Sequence, residues 1–175
     1  MYAAADRLKL IDIGRISAQA KKTADSLSRF HPKGYFESAL NQLNKEQYND
    51  AAFLYYLGYL RYSFFNEASP KFDESDEKLF QSIKSENEEP IGIYLQSNGD
   101  NFIAILQKSL NYNKENNYRF FPGENAPDTF NALSFRFSEI ITDLQRNLPE
   151  YSATWKVERK AMEKYIDDAL KDEQH

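Results

Sequence analysis

Apolar residues recur at intervals of three and four along most of the chain, which is the spacing of one helix face. The clearest predicted helix covers residues 128–148, with an inward face of Phe130, Leu133, Phe137, Ile140, Leu144 and Leu148. Pro149 is predicted to end it. A last helix over residues 155–169 is then expected, with Ser152 or Thr154 as its cap.

The N-terminal half shows a similar pattern in two segments. Residues 4–30 read as a helix whose apolar face is Ile13, Ile16, Ala20, Ala24 and Leu27, although Gly14 weakens it and residues 8–10 alternate as a short strand would. A turn at residues 31–34 precedes a second helix over residues 35–43.

Residues 47–65 form the most apolar segment, with apolar side chains most of the way round a helix. A helix of that kind is buried between neighbours. We therefore predict that it is the central helix of the fold.

The following segment is polar and acidic. It is expected to hold a short amphipathic helix over residues 79–83, a loop at residues 85–89, and a helical turn or a short strand at residues 91–96. Asp100 is the expected N-cap of the next helix, over residues 102–110.

A long loop rich in asparagine is predicted over residues 111–127, and the tail at residues 171–175 is expected to fray. The sum is an all-α fold, a stack or bundle of six or seven helices arranged as helix hairpins. At 175 residues, the chain is expected to be a single helical domain.

Composition supports this fold class. Six Gly and six Pro are too few for the turns of a many-stranded β-fold, whereas 13 Phe and 12 Tyr can build a large core. The net charge of −5 argues against a general nucleic-acid binder. The N-terminal basic residues are spread round their predicted helix: Arg7, Lys9, Arg15, Lys21, Lys22, Arg29 and Lys33. No nucleic-acid partner is therefore expected.

The chain lacks the residues that several kinds of catalytic and binding site require. The chain has no Cys, and its two His residues, His31 and His175, cannot form a cluster of metal ligands. It contains no glycine-rich phosphate loop and no serine-nucleophile elbow. We expect no catalytic residue, cofactor or metal, and no transmembrane segment.

Residues 35–65 resemble a tetratricopeptide or Sel1-like helical repeat. These families place a Leu-Gly pair and then an aromatic residue on a helix, as Leu57, Gly58 and Tyr62 are placed here, although Tyr62 lies one position later than the tetratricopeptide pattern prefers. No second copy occurs at a period of about 34 residues. The other interpretation is a glycine that allows close packing of a buried helix.

The chain contains more tyrosine and phenylalanine residues than a pair of helices must bury. Exposed aromatic residues are enriched at interfaces. With the acidic residues, which can speed encounter with a basic partner, they form the predicted partner-binding set. It comprises Tyr55, Tyr59, Tyr62, Glu86, Glu88, Glu89, Tyr118, Phe120 and Phe121.

These features favour a non-enzymatic protein-interaction module with an aromatic groove and an acidic rim. A bacterial immunity protein that neutralises a toxin is one such module, and the Sel1-like resemblance implies the same, because Sel1-like repeats occur among toxin inhibitors. The alternative is a helical small-molecule or lipid binder with an aromatic-lined cavity. A cytoplasmic location is expected if Met1 is the native start, and a periplasmic or exported one if a signal was removed; the pattern leaves the oligomeric state open.

Overall fold

A computed structural model describes residues 2–71 and 73–172 of the chain. Within these residues the prediction of an all-α fold is confirmed: seven α-helices pack together and no β-strand occurs. The helices are α1 (Tyr2–Asp6), α2 (Ala18–Leu27), α3 (Lys33–Leu43), α4 (Tyr48–Ala68), α5 (Glu74–Gln96), α6 (Gly99–Glu115) and α7 (Pro127–Asp172), with short 3-10 helices at Leu10–Asp12 and Gly123–Asn125.

Helix α4 lies at the centre, as predicted. Fourteen of its 21 residues are buried, because α3, α5, α6 and α7 all pack against it. One side of α4 joins the main core with α3 and α5. The opposite side places Leu60 in a second cluster with Leu106 of α6 and Phe137 of α7.

Gly58 allows α3 to lie close to α4. A Cβ atom at this position would lie 2.6 Å from the Cβ of Tyr35 and 3.1 Å from the ring of Phe36. Any side chain at residue 58 would therefore force the two helices apart.

The predicted helix over residues 4–30 is wrong, because the chain turns sharply between α1 and α2. Gly14 has a φ of +62°, and its N–H donates to Asn101 Oδ1 at 2.8 Å. Helix α2 then begins after Ser17, whose hydroxyl accepts from the N–H of Ala20 at 3.0 Å. The alternative strand at residues 8–10 is not formed.

Helix α5 is one continuous helix of 23 residues that passes through Pro90. The predicted loop at residues 85–89 is therefore wrong, and residues 91–96 are helical. Phe80, Ile91 and Leu95 are buried on one face, and that burial offsets the roughly 3 kcal/mol that proline costs inside a helix.

Helix α7 likewise continues through Pro149 and spans 46 residues, or about 69 Å at the α-helical rise. The predicted end at Pro149 and the predicted cap at Ser152 or Thr154 are both wrong. The apolar face continues across the proline, with Leu144 before it and Trp155 after it in the same cluster. Ile140 was expected to face inward but is 54% exposed.

The N-cap of α6 is Asn98 rather than the predicted Asp100, since Asn98 Oδ1 accepts from the N–H of Asn101 at 3.0 Å. Helix α6 continues to Glu115, so the loop before α7 covers residues 116–126 and is shorter than predicted. The predicted fraying of residues 171–175 concerns a tail whose last three residues lie outside the described part. Within residues 2–71 and 73–172, no helix is long and apolar enough to cross a membrane.

Candidate functional site

The aromatic residues predicted for partner binding on α4 are mostly internal. Tyr55 and Tyr62 are 3% and 0% exposed, and they pack among the rings of the main core. Tyr59 is half-buried at the edge of α4, where the ammonium of Lys84 lies 5.7 Å from its ring centroid. These three side chains therefore lie mostly beneath the surface, where a partner would have little contact with them.

The acidic residues of the predicted set lie on α5. Glu86, Glu88 and Glu89 are all exposed, and Glu88 is 3.8 Å from Lys84 in an ion pair. Glu86 follows Asp76 by ten residues, which corresponds to about 15 Å along the helix. The acidic rim is thus displaced along α5 from the aromatic residues described next, near Asp76.

The loop at residues 116–126 is held firmly against the end of α2. The hydroxyl of Tyr118 donates to the carbonyl of Phe30 at 2.8 Å, and the N–H of Phe120 donates to the carbonyl of Ser28 at 2.8 Å. Phe121 packs beside Phe64, at 5.0 Å between ring centroids. The predicted loop residues thus split into a buried Tyr118, a half-buried Phe121 and an exposed Phe120.

Two aromatic side chains remain exposed where these segments meet. Phe30 is 62% exposed and Phe120 is 40% exposed, and His31 lies beside Phe120 at 5.8 Å between ring centroids. We call Phe30, His31 and Phe120 the aromatic patch. Its backbone is fixed by the hydrogen bonds just described, so the patch is preorganised.

His31 connects this patch to α5. Its Nδ1 accepts from the N–H of Lys33 at 3.3 Å, so the ring proton lies on Nε2, which donates to Asp76 Oδ1 at 3.2 Å. The ring also makes edge contacts with Tyr62 and Phe65, at 5.1 and 5.5 Å. These contacts fit an orienting role for His31 in holding the two segments together.

Behind the patch lies a buried arginine. Arg61 of α4 is 1% exposed, and three rings surround its guanidinium: the carbon Cζ is 5.0 Å from the ring centroid of Tyr118, 5.2 Å from that of Tyr35 and 5.9 Å from that of Tyr112. Its Nη2 donates to the carbonyl of Asn116 at 2.9 Å. Arg61 therefore ties α4 to the loop that carries Phe120.

The remaining hydrogen bonds of Arg61 go to uncharged groups. Nε donates to Asn113 Oδ1 at 3.3 Å, and Nη1 donates to the hydroxyl of Tyr35. Burial raises the pKa of Tyr35 to about 12, and it also raises the pKa of Tyr118. Both rings are therefore neutral near pH 7, and neither compensates the charge of Arg61.

Arg61 lines an open cleft of about 660 Å³ next to the aromatic patch, which we call the Arg61 cleft. Phe30 and two further arginines, Arg29 and Arg119, also line it, and both of these arginines are exposed. Asp25 and Glu115 are the carboxylates of its lining, and Asp25 accepts a hydrogen bond from the hydroxyl of Tyr112.

The sequence interpretation missed Arg29, Phe30, Arg61 and Arg119. One signal was available for Arg61: it is the only basic residue in a segment otherwise apolar on almost every side, so its charge had to be buried or paired. Arg29 and Arg119 have no comparable signal, because the fold alone brings residues 29 and 119 together.

Among the residues that the structure describes, no group of three or more His, Asp or Glu side chains is arranged to hold a metal ion. Comparison of the chain with models of protein families, with curated proteins and with solved structures found no match in any of the three.

Proposed function

We propose that this protein is a non-enzymatic interaction module that binds a protein partner through the aromatic patch. One observation carries the proposal: Phe30 and Phe120 are both exposed, on two segments that hydrogen bonds hold together. Arg29 and Arg119 are next to them in sequence. Aromatic residues and arginine are the types most enriched at interface hot spots.

The rigidity of the patch supports this proposal. An exposed aromatic ring on a mobile loop loses conformational freedom when it binds, and that loss weakens binding. Here the two hydrogen bonds between residues 28–30 and 118–120 have already fixed the backbone. A partner that buries the apolar area of both rings would therefore cause little further loss of backbone conformational freedom.

The exposed carboxylates of Glu86, Glu88 and Glu89 would act at longer range. With a net charge of −5, they would attract a basic partner and speed encounter without needing to contact it. Changing all three to Lys is expected to slow association at low salt and to leave the dissociation rate nearly unchanged. An association rate that does not change at low salt would remove this part of the proposal.

A toxin-neutralising immunity protein is the specific form of this proposal. Its partner would be a secreted toxin, and the toxin would be inactive in the complex. If the captured partner has no toxic activity that this protein suppresses, the immunity role fails while the interaction module stands.

The test begins with capture of a stoichiometric partner from native lysate, followed by measurement of its Kd. Changing Phe30 and Phe120 together to Ala is expected to weaken binding by about 100-fold, since each hot-spot aromatic contributes roughly tenfold or more. Phe135→Ala is the matched control, because Phe135 is 64% exposed on α7 and lies outside the patch. Equal effects of the double variant and the control would contradict the proposal.

Native mass spectrometry addresses the alternative of a small-molecule or lipid binder. A small molecule retained in stoichiometric amount, with no protein captured, would favour that alternative and end the proposal of a partner-binding patch.

A further inference from the structure

Arg61 is unusual because its charge is buried and forms no ion pair with a carboxylate of the described residues. A buried cation is normally paired, since the loss of hydration costs far more than uncharged acceptors return. Among the described residues, the hydrogen-bond acceptors of Arg61 are an amide oxygen, a carbonyl and a phenol, and no ion pair forms. A charge held in this way is suited to an anion that binds from outside.

The guanidinium of Arg61 also has N–H groups that no acceptor of the described residues uses. Arginine carries five N–H groups in a planar fork, and three of them are used by Asn113, Tyr35 and Asn116. The other two, one on each terminal nitrogen, have no acceptor in the part of the chain that the structure describes. Two such groups suit the paired oxygens of an oxyanion.

The walls of the Arg61 cleft supply further positive charge. Arg29 and Arg119 line it, and neither forms an ion pair within the described residues, in contrast to Arg136, which pairs with Glu67 at 2.6 Å. Within the part of the chain that the structure describes, none of the three arginines of the cleft therefore forms an ion pair.

The carboxylates of the lining reduce this charge without cancelling it. Three arginines against Asp25 and Glu115 leave an excess of one positive charge in a protein whose net charge is −5. Asp25 is also engaged by the hydroxyl of Tyr112. The cleft is therefore locally positive against the overall charge of the molecule.

We propose that the Arg61 cleft is a binding site for a phosphate group, with Arg61 at its base and Arg29 and Arg119 at its walls. Phosphate is favoured over a carboxylate because its oxygens and its double charge can engage more than one guanidinium at once. This inference does not depend on the partner-binding role of the aromatic patch, since inorganic phosphate alone can test it.

The experiment is an NMR titration of the full-length protein with inorganic phosphate at constant pH and ionic strength. The Nε–H signal of Arg61 and the backbone signals of residues 116–119 are expected to shift and to saturate. Acetate titrated in the same way is expected to bind more weakly. Absence of a saturable shift would overturn the proposal, and acetate that binds as tightly as phosphate would overturn the choice of phosphate.

Variants connect the signal to the cleft. Changing Arg29 and Arg119 together to Gln leaves the buried Arg61 in place, and it is expected to weaken phosphate binding by about tenfold or more. Arg146→Gln is the control, because Arg146 is an exposed arginine of α7 outside the cleft lining, and its Kd should stay within about twofold of the parent.

Arg61→Lys keeps the positive charge but loses the planar fork, so weaker binding is expected here as well. Because this variant can disturb the core, the surface double variant decides the outcome. Equal phosphate affinity in the double variant and in the Arg146 control would mean that the cleft does not bind phosphate.

Discussion

Gly58→Ala is expected to destabilise the protein, because no space exists for the added methyl group between α3 and α4. The new Cβ would lie 2.6 Å from the Cβ of Tyr35, whereas carbon atoms in ordinary contact are about 3.5–4.0 Å apart. The Cβ of Tyr35 is bonded directly to the backbone, so no side-chain rotation can relieve the overlap. The two helices must therefore separate by roughly 1 Å.

The magnitude follows from two opposing effects. Forcing an extra carbon into a packed core costs about 1–3 kcal/mol, and the upper end applies here because backbone must move. Replacing glycine by alanine inside a helix returns about 1 kcal/mol. The net loss is about 2 kcal/mol, which lowers the urea midpoint by about 1 M if the m-value is about 2 kcal/mol/M.

Gly92→Ala is the matched control. Gly92 also lies inside a long helix, but a Cβ atom there would meet nothing within 4 Å. The control should therefore gain roughly 0.5–1 kcal/mol from helix propensity alone. Urea unfolding followed by circular dichroism measures both changes. If Gly58→Ala is as stable as the parent protein, the close packing of α3 on α4 described above is wrong.

Two further predictions concern buried polar groups. Burial raises the pKa of Tyr35 and of Tyr94 to about 12 from an ordinary value of 10, so the folded state favours the neutral phenols. Each stabilising contribution is complete below about pH 10 and is lost as the pH rises through 12, by about 2 kcal/mol per tyrosine between pH 9 and pH 12. Urea unfolding at pH 9, 10, 11 and 12 measures this loss, and a free energy of unfolding that stays constant across this range would contradict the prediction. Asn49 Oδ1 accepts hydrogen bonds from Tyr94 and Asn101, both at 2.8 Å. Asn49→Ala leaves these buried donors unpaired and should lower the Tm by roughly 10 °C. The control Asn147→Ala, on the exposed side of α7, should change the Tm little.

Proline marks the clearest difference between the predicted and the observed helices. Pro149 was predicted to end a helix, since proline lacks an N–H and its ring crowds the preceding turn, and the residues just before Pro90 were predicted to form a loop. In both α5 and α7 the apolar face continues at helical spacing across the proline, from Phe80 to Leu95 and from Leu144 to Trp155. The apolar spacing is visible in the sequence, and it indicated a continuous helix more reliably than proline indicated an end.

The opposite error occurred at Gly14, where an apparent helix was interrupted. The apolar spacing of Ile13 and Ile16 suggested a continuous face, yet Gly14 adopts a positive φ and binds Asn101 on α6. Asn101 lies 87 positions away, so only the folded structure brings this partner to the turn. Local pattern cannot contain such information.

For the candidate site, the sequence placed Tyr118 and Phe120 in a loop and in the predicted partner-binding set, and the structure adds their neighbours. Phe30, Arg29 and Arg119 join them only because residues 28–30 and 118–120 are hydrogen-bonded. Glu86, Glu88 and Glu89 were grouped with the aromatic residues by composition, but they lie further along α5 from the patch.

The sequence by itself determined the all-α class and the burial of α4, because both depend on the spacing of apolar residues along one chain. It also restricted the chemistry, since it has no Cys and only two His. The tertiary structure decided which helices pass through proline, where the chain turns at Gly14, and which residues surround Arg61. These features depend on contacts between distant segments, whose free energies exceed the local preferences that a sequence pattern expresses.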